Sequence, residues 1–332
     1  MGQPDVKELM VAGPLQDASI QYKNLSYIGD RVFPLIDTNN AKATIAKYLK
    51  GAWFRDEAKI RGPGARAARG GYPVSLISIA PIEYAFAKEV TDEDRRDADS
   101  INAPPTKPEQ DAIEFCADRI DLNKERRIAA LVKATDWSGA GAGGEDAQGL
   151  WAPPGSTNTF ILDVETRIET IRANTGQRPN VLVIDGSTFG KIKQVAEVLD
   201  RIRYGGGNDD PAKVGEQMIA AMFGLNEVLI GDAIYSSAKE SKAGTDFSAV
   251  NIWENTAAKG SAFLFYRPKN IGLRVPTAGI QVRLLYPEGM ARRTTTWREA
   301  AEHQDVYEVA ESTDIVATGT DLGFMWKDTM AD

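Results

Sequence analysis

Histidine and cysteine are almost missing from this chain: it has one of each, His303 and Cys116, in 332 residues. A zinc site of Cys and His ligands takes about four such groups, so none can form within one chain. A single cysteine also excludes an intrachain disulfide. Any Ser-His-Asp or Cys-His machinery would have to run through His303. That residue sits in the polar stretch AEHQD, with no G-x-S-x-G elbow near it, so it reads as a solvated side chain. No apolar run approaches the ~20 residues that span a bilayer, so no membrane partner is expected. Met1 to Met10 carries Asp5, Lys7 and Glu8 where a secretion signal needs an apolar core. Val6 stands where a myristoylation signal wants Ser or Thr. A basic excess is missing too: 39 Lys+Arg stand against 47 Asp+Glu, a net charge of −8. Dedicated nucleic-acid binders show the opposite balance. These absences predict a cytoplasmic product with no catalytic, metal or cofactor site.

What is present is ordinary material for a folded chain, 42% hydrophobic and 26% charged, long enough for about two domains. Residues 1–50 set Tyr22, Tyr27, Ile28, Val32, Phe33, Leu35 and Ile36 among polar residues and Pro34. This predicts an extended arm that must pack against something else. Trp53 to Tyr72 then reads WFRDEAKIRGPGARAARGGY, crowding Arg55, Lys59, Arg61, Arg66 and Arg69 around Gly62, Pro63, Gly64, Gly70 and Gly71. Few apolar side chains and much glycine cannot make a core. Alternation over 72–90 suggests strands, so 45–85 reads as a long basic loop projecting from the body. Glu89 to Asp99 has the opposite sign, with Glu89, Asp92, Glu93, Asp94, Asp97 and Asp99 outnumbering Arg95 and Arg96.

The clearest helix runs from 107 to about 134. Thr106 and Glu109 stand at capping-box spacing and Pro108 at an early position. Ile113, Ala117, Ile120, Ile128, Leu131 and Val132 mark one stripe, and Cys116 beside it reads as a small core residue. At 1.5 Å per residue the helix would be ~40 Å long. A glycine-rich loop at 139–149 follows, then an amphipathic helix over Phe160–Ala173, stopped near Gly176. The texture becomes alternating α/β: strand Val181–Ile184, helix Phe189–Ile202, helix Pro211–Phe223, strand Glu227–Ile230, strand Ala262–Tyr266. Residues 178–280 read as a compact inserted subdomain. Beyond Ile280 the runs QVRLLY, RRTTTWRE, DVYEVAE and TDIVAT read as β.

Asp185-Gly186-Ser187-Thr188-Phe189-Gly190-Lys191 invites a phosphate-loop reading, but the glycine spacing is short and Ile192 replaces the required Ser or Thr. A strand–turn–helix connection capped by Ser187 or Thr188 explains it. The basic loop could meet nucleic acid, solvent or an acidic protein surface. The acidic stretch at 89–99 favours the last, because the chain carries both halves of a complementary pair, which would set register between copies.

Taken together, YKNLSYIGDRVFPLI at 22–36, KYLKGAWFRDEAKIRGPGARAARGGY at 47–72, EYAFAKEVTDEDRRDAD at 83–99, FGLNEVLIGDAIYSSA at 223–238 and WREAAEHQDVYEVAE at 297–311 resemble the major capsid proteins of tailed bacteriophages. The resemblance implies an α+β Hong Kong 97-type capsid fold. Residues 1–40 would be the N-arm and 41–88 the E-loop. Residues 89–177 and 281–332 would form the peripheral domain, with its spine helix at 107–134. Residues 178–280 would be the axial domain, its loop at Tyr204–Asp210 near the capsomer axis. The Pro287–Thr296 hairpin, with Arg292 and Arg293, would approach a local threefold contact. Many copies would assemble as hexamers and pentamers into an icosahedral shell around double-stranded DNA, made in the host cytoplasm and ending in the virion. A separate scaffolding protein, a portal and a decoration protein are the implied partners. Some family members cross-link a Lys of the E-loop to a neighbour's Asn; Lys59 has no assignable partner for that. Two other readings stay open: an encapsulin-like cargo compartment, and an α/β ligand-binding protein or enzyme built on 178–280.

Overall fold

A computed structural model describes residues 23–24, 26–98, 107–151, 158–205, 215–239, 246–254, 259–272 and 274–330. The first part of the chain holds helix α1 (Gly29–Val32), strands β1 (Leu35–Thr38) and β2 (Ala43–Tyr48), helix α2 (Lys50–Trp53) and strands β3 (Val74–Ile79) and β4 (Ile82–Thr91). Helices α3 (Asp92–Ala98) and α4 (Pro108–Ala134), strand β5 (Glu145–Asp146) and helix α5 (Phe160–Thr175) follow. The middle is β6 (Val181–Asp185), α6 (Gly186–Ile192), α7 (Ala196–Gly205), α8 (Glu216–Phe223), β7 (Glu227–Gly231), β8 (Ile234–Ser236), β9 (Ala249–Asn251) and β10 (Ser261–Phe265). The chain closes with β11 (Gly279–Leu284), β12 (Arg293–Glu299), β13 (Gln304–Ala317) and β14 (Gly323–Lys327).

Two sheets carry the molecule. In the first, the 14-residue β13 pairs with β4 along one edge and with β12 and then β11 along the other, all antiparallel; β1 adds to β11 in parallel. The predicted DVYEVAE and TDIVAT runs are thus one strand. The second sheet has the order β5-β14-β10-β6-β7, and its central strands β10 and β6 are buried at every position because both faces are covered. Leu182, Ile184, Ala262, Leu264, Phe324 and Trp326 point to the layer of α5–α8. Their alternates Val181, Val183, Phe263, Phe265 and Met325 point to α4 and α1.

This overturns part of the predicted partition. Residues 178–280 are not a self-contained insert: β14, β5 and α5 complete their sheet and core from outside those bounds. The helix predicted over Phe189–Ile202 is broken into α6 and α7. The backbone tightens at Lys193–Val195, where Gln194 and Val195 donate to carbonyls three residues back. Its cap is Asp185, which accepts from the Thr188 N–H, rather than Ser187 or Thr188. Asp185 lies two residues before Ser187 and caps because the strand ends there in an extended conformation, which aims its carboxylate back at the first turn. Gly176 stops α5 in the left-handed region at φ 70°.

The 27-residue α4 straddles both sheets. Its buried positions Ala112, Cys116, Ile120, Lys124, Ile128 and Val132 recur every four residues. Four residues turn an α-helix through 400°, so the buried line drifts by about 40° per step and winds round the helix. Its first half therefore faces Val90, Tyr307 and Val309 of the first sheet, and its second half the aromatic core under the second. Cys116 is fully buried, its thiol 3.6 Å from the Tyr307 carbonyl. Ile113 and Ala117, predicted in the stripe, are only half-buried. Lys107 occupies the N-cap without a side-chain bond, and Thr106 lies outside the described residues.

The arm also departs from expectation. Ile28, Val32 and Phe33 are buried in the chain's own core, so this stretch needs no neighbour to fold. A one-turn helix leaves its end groups unsatisfied, and two buried side chains supply them. Glu125 accepts from Ile28 N–H at 3.2 Å, Gly29 N–H at 2.6 Å and Trp253 Nε1–H at 2.6 Å. Gln281 donates to the Gly29 and Phe33 carbonyls at 2.8 and 2.9 Å. Next to Glu125, buried Lys124 meets Asp30 at 2.5 Å and Glu311 at 3.3 Å.

Candidate subunit interface

Strands β2 and β3 form a two-stranded antiparallel hairpin, Ala43 opposite Ile79 and Tyr48 opposite Val74. Its root is fixed: Ile79 is buried against Ile280 and Val282, with Ile36 and Ile45 beside it. Its far end is a triangle of rings, Tyr48, Trp53 and Tyr72, with centroids 5.5–6.0 Å apart. The Arg274 guanidinium lies 5.5 Å from the Tyr48 ring and 5.8 Å from Trp53, and Lys50 reaches Asp321 at 2.5 Å. Past this end the chain turns on Gly62-Pro63-Gly64-Ala65. Ala65 N–H donates to the Gly62 carbonyl at 3.1 Å, with Gly64 at φ 76°. Pro and then Gly at those two positions is the type II turn that this sequence dictates.

Every residue from Trp53 to Leu76 is exposed. The large apolar ones among them are Trp53, Phe54, Ile60, Tyr72, Val74 and Leu76, the last 71% exposed. A lone two-stranded hairpin is marginal in water, and a contiguous exposed apolar surface marks an interaction site. The cations sit on the same projection. Arg61 donates to the Ala65 carbonyl at 2.6 Å, and Arg55 lies 3.9 Å from Glu57. Lys59, Arg66 and Arg69 are exposed along the loop.

The acidic candidates divide. Asp92 is already engaged: Arg298 clamps its two oxygens at 2.7 and 2.5 Å, and this bond holds its carboxyl below the usual carboxylate range. Asp305 in turn holds Arg95 at 2.6 Å. Asp94 exchanges capping bonds with Thr91 at 3.2 and 3.4 Å yet stays exposed, as do Glu89 and Glu93. Of these candidates Glu89, Glu93 and Asp94 face outward, and Asp97 beyond them is exposed as well. Arg292 and Arg293 are engaged within their own chain. Arg292 binds Asp121 on α4 and Glu311 (2.8 Å) on β13; Arg293 binds Glu83 at 2.7 Å and lies 3.6 Å from Glu308. Both bind neighbouring elements of their own subunit. Residues 206–210 of the predicted axial loop lie outside the described residues.

His303 is exposed in a turn at φ 52°, and it contributes its backbone carbonyl, which accepts from Asp92 N–H at 3.0 Å. The polar interior is structural in character. Asp185 accepts from Thr188 and from Ser261 N–H at 2.8 Å, and burial pushes its carboxyl up. Lys133 donates to the Ile252 and Glu254 carbonyls at 2.8 and 3.1 Å, beside a water-sized void. Among the described residues no cluster of His, Cys, Asp or Glu could hold a metal. Sequence reasoning missed Glu125 and Gln281; the only available signal was a charged pair, Lys124-Glu125, interrupting an apolar stripe.

No family model matches the chain. It is 26% identical over 251 residues to the major capsid protein of Burkholderia phage BcepMu, covering 74% of this chain and 76% of that one. Its fold is similar to a phage-related protein of Bordetella bronchiseptica (TM-score 0.66, 19% identity, 94% of each chain covered). It is similar also to the capsid protein of cyanophage P-SCSP1u (TM-score 0.61, 12% identity, 98% and 95% covered). A third likeness is the mature capsid of bacteriophage PhiM1 (TM-score 0.57, 14% identity, 94% and 89% covered). The fold is the Hong Kong 97-type capsid fold that the sequence resemblance implied.

Proposed function

We propose that the chain is a structural major capsid protein of the tailed-phage kind, and from that premise we infer how its copies close into a shell. It acts in many copies as a component of the virion, and not as an enzyme. In our reading the copies form hexamers and pentamers of an icosahedral shell around double-stranded DNA. Assembly takes place in the host cytoplasm with a separate scaffolding protein and a portal, and a decoration protein completes the surface. The hairpin of 41–88 is the E-loop, and α4 is the spine helix.

The observation that carries this is the projecting hairpin tip, apolar and cationic at once and exposed at every residue from Trp53 to Leu76. Its Arg55, Lys59, Arg61, Arg66 and Arg69 would face Glu89, Glu93 and Asp94 of a neighbour. Exposed ion pairs contribute only ~0–1 kcal/mol each. Burying Trp53, Phe54, Ile60 and Leu76 contributes ~1.5–3 kcal/mol per side chain. The apolar contact therefore supplies the adhesion and the charges its register, and repetition round a shell multiplies both.

Light scattering and negative-stain microscopy of the expressed protein test this. Uniform closed shells are expected; a compact, fully ordered monomer at high concentration refutes the reading. The contents decide between the two shell readings, with nucleic acid inside filled particles supporting a capsid and a packaged enzyme supporting a cargo compartment.

A further inference from the structure

The seam between β4 and the spine helix carries cations that no carboxylate among the described residues pairs with. Lys88 and Arg119 both rest on the Phe115 ring, the Lys88 Nζ 5.3 Å and the Arg119 guanidinium carbon 4.8 Å from its centroid. Two helical turns on, Arg126 lies over the Tyr235 ring at 4.2 Å. All three are exposed, and among the described residues no carboxylate forms an ion pair with any of them. Their neighbours on the same body behave differently: Arg95, Lys124, Arg292, Arg293 and Arg298 each hold at least one carboxylate. An aromatic face orients a cation without discharging it. A guanidinium lying flat on a ring keeps its N–H edge open for a bidentate acceptor.

Arg119 and Arg126 are seven residues apart, so they share a helix face within about 20° and stand about 10 Å apart along the axis. Exposed Glu114 lies about 140° round the helix from Arg119. A row of open cations on one line fits a linear polyanion. Duplex DNA offers a phosphate every ~3.4 Å along each strand, so the row would span about three steps. In the subunit contact proposed above, Glu89, Glu93 and Asp94 are matched by the hairpin tip and not by this row.

We propose that Lys88, Arg119 and Arg126 form a phosphate-binding row that grips the backbone of the enclosed duplex DNA, so that this seam faces the shell interior; this rests on the reading that the shell encloses DNA. Against a net charge of −8, the row would provide fixed footholds on an otherwise repelling wall, with range limited to the ~8–10 Å screening length.

DNA-filled shells and shells emptied of DNA are treated with an acetylating reagent for lysine and phenylglyoxal for arginine, and the modified residues are read by mass spectrometry. Lys88, Arg119 and Arg126 should be protected in filled shells and reactive in emptied ones. Equal reactivity in both overturns the proposal. Protection in both means that a protein neighbour covers the seam, and overturns it as well. In a second measurement, the slope of log DNA binding against log salt for emptied, opened shells should fall by about 0.9 per cation removed, about 2.7 in K88A/R119A/R126A; an unchanged slope overturns it. Shells that never contain DNA would instead refute the enclosing reading itself, which nucleic-acid content reports independently.

Discussion

Glu125→Ala should be among the most damaging single substitutions in the body of the protein. The carboxylate is 2% exposed and takes three donors: the Ile28 and Gly29 amides and the Trp253 indole. Each buried donor left without an acceptor costs ~1–3 kcal/mol. The losses overlap, because the arm can shift to recover water once released, so we expect ~3–5 kcal/mol in total. Guanidinium denaturation at neutral pH reads this as a lower midpoint at unchanged slope. Hydrogen exchange reads it locally, as faster exchange at Ile28 and Gly29. Glu125→Gln keeps an acceptor oxygen and should fall between. The pH dependence has a defined sign. Burial raises this carboxyl above its ordinary 4.5, outweighing its hydrogen bonds, so the folded chain binds the proton more readily than the unfolded chain. Stability from this group is fully present below 4.5 and declines as pH rises through the folded value, and the Gln variant should lose that slope. A midpoint within ~1 kcal/mol of wild type, with Ile28 and Gly29 still protected, would refute the role given to Glu125.

Gly279→Ala should cost ~1–3 kcal/mol by overpacking, since a methyl there would lie 2.8–2.9 Å from the Phe33 ring. Trimming the ring with Phe33→Leu in the same chain should return part of that loss in thermal melts, and an additive double variant would count against the contact. Reversing the tip charges, R61E/R66E/R69E, should leave the melting temperature unchanged, because these residues touch nothing in the body. It should slow or abolish particle formation by light scattering, and normal assembly would remove the tip from the subunit contact.

Much of the fold was legible because its signals are local. The spine helix was placed to within a residue by Pro108 and its apolar recurrence, Gly176 marked the end of α5, and the strands of 281–317 announced themselves by Val, Thr and Tyr. The fully buried strands β6 and β10 stood out as apolar runs, but no local signal says that β14 is their neighbour, since that pairing joins residues far apart in sequence. The arm was misread for a related reason. Tyr27 to Ile36 lacks periodicity, and what orders it is a carboxylate and an amide supplied by positions 125 and 281. The same limit applies to the interface: the cations of the tip were visible as composition, whereas the internal partners of Asp92, Arg292 and Arg293 appear only once the sheet brings β4, β12 and β13 together.

The winding line of buried positions along the spine helix has a mechanical consequence. A rod gripped at its two ends on different sides cannot roll, because any twist that improves one grip loosens the other. The two sheets are thereby held at one angle by a single helix, and each copy would join its neighbours with that angle already set. Variation among positions in a closed particle would then have to come from the pliant tip, while the body stays rigid.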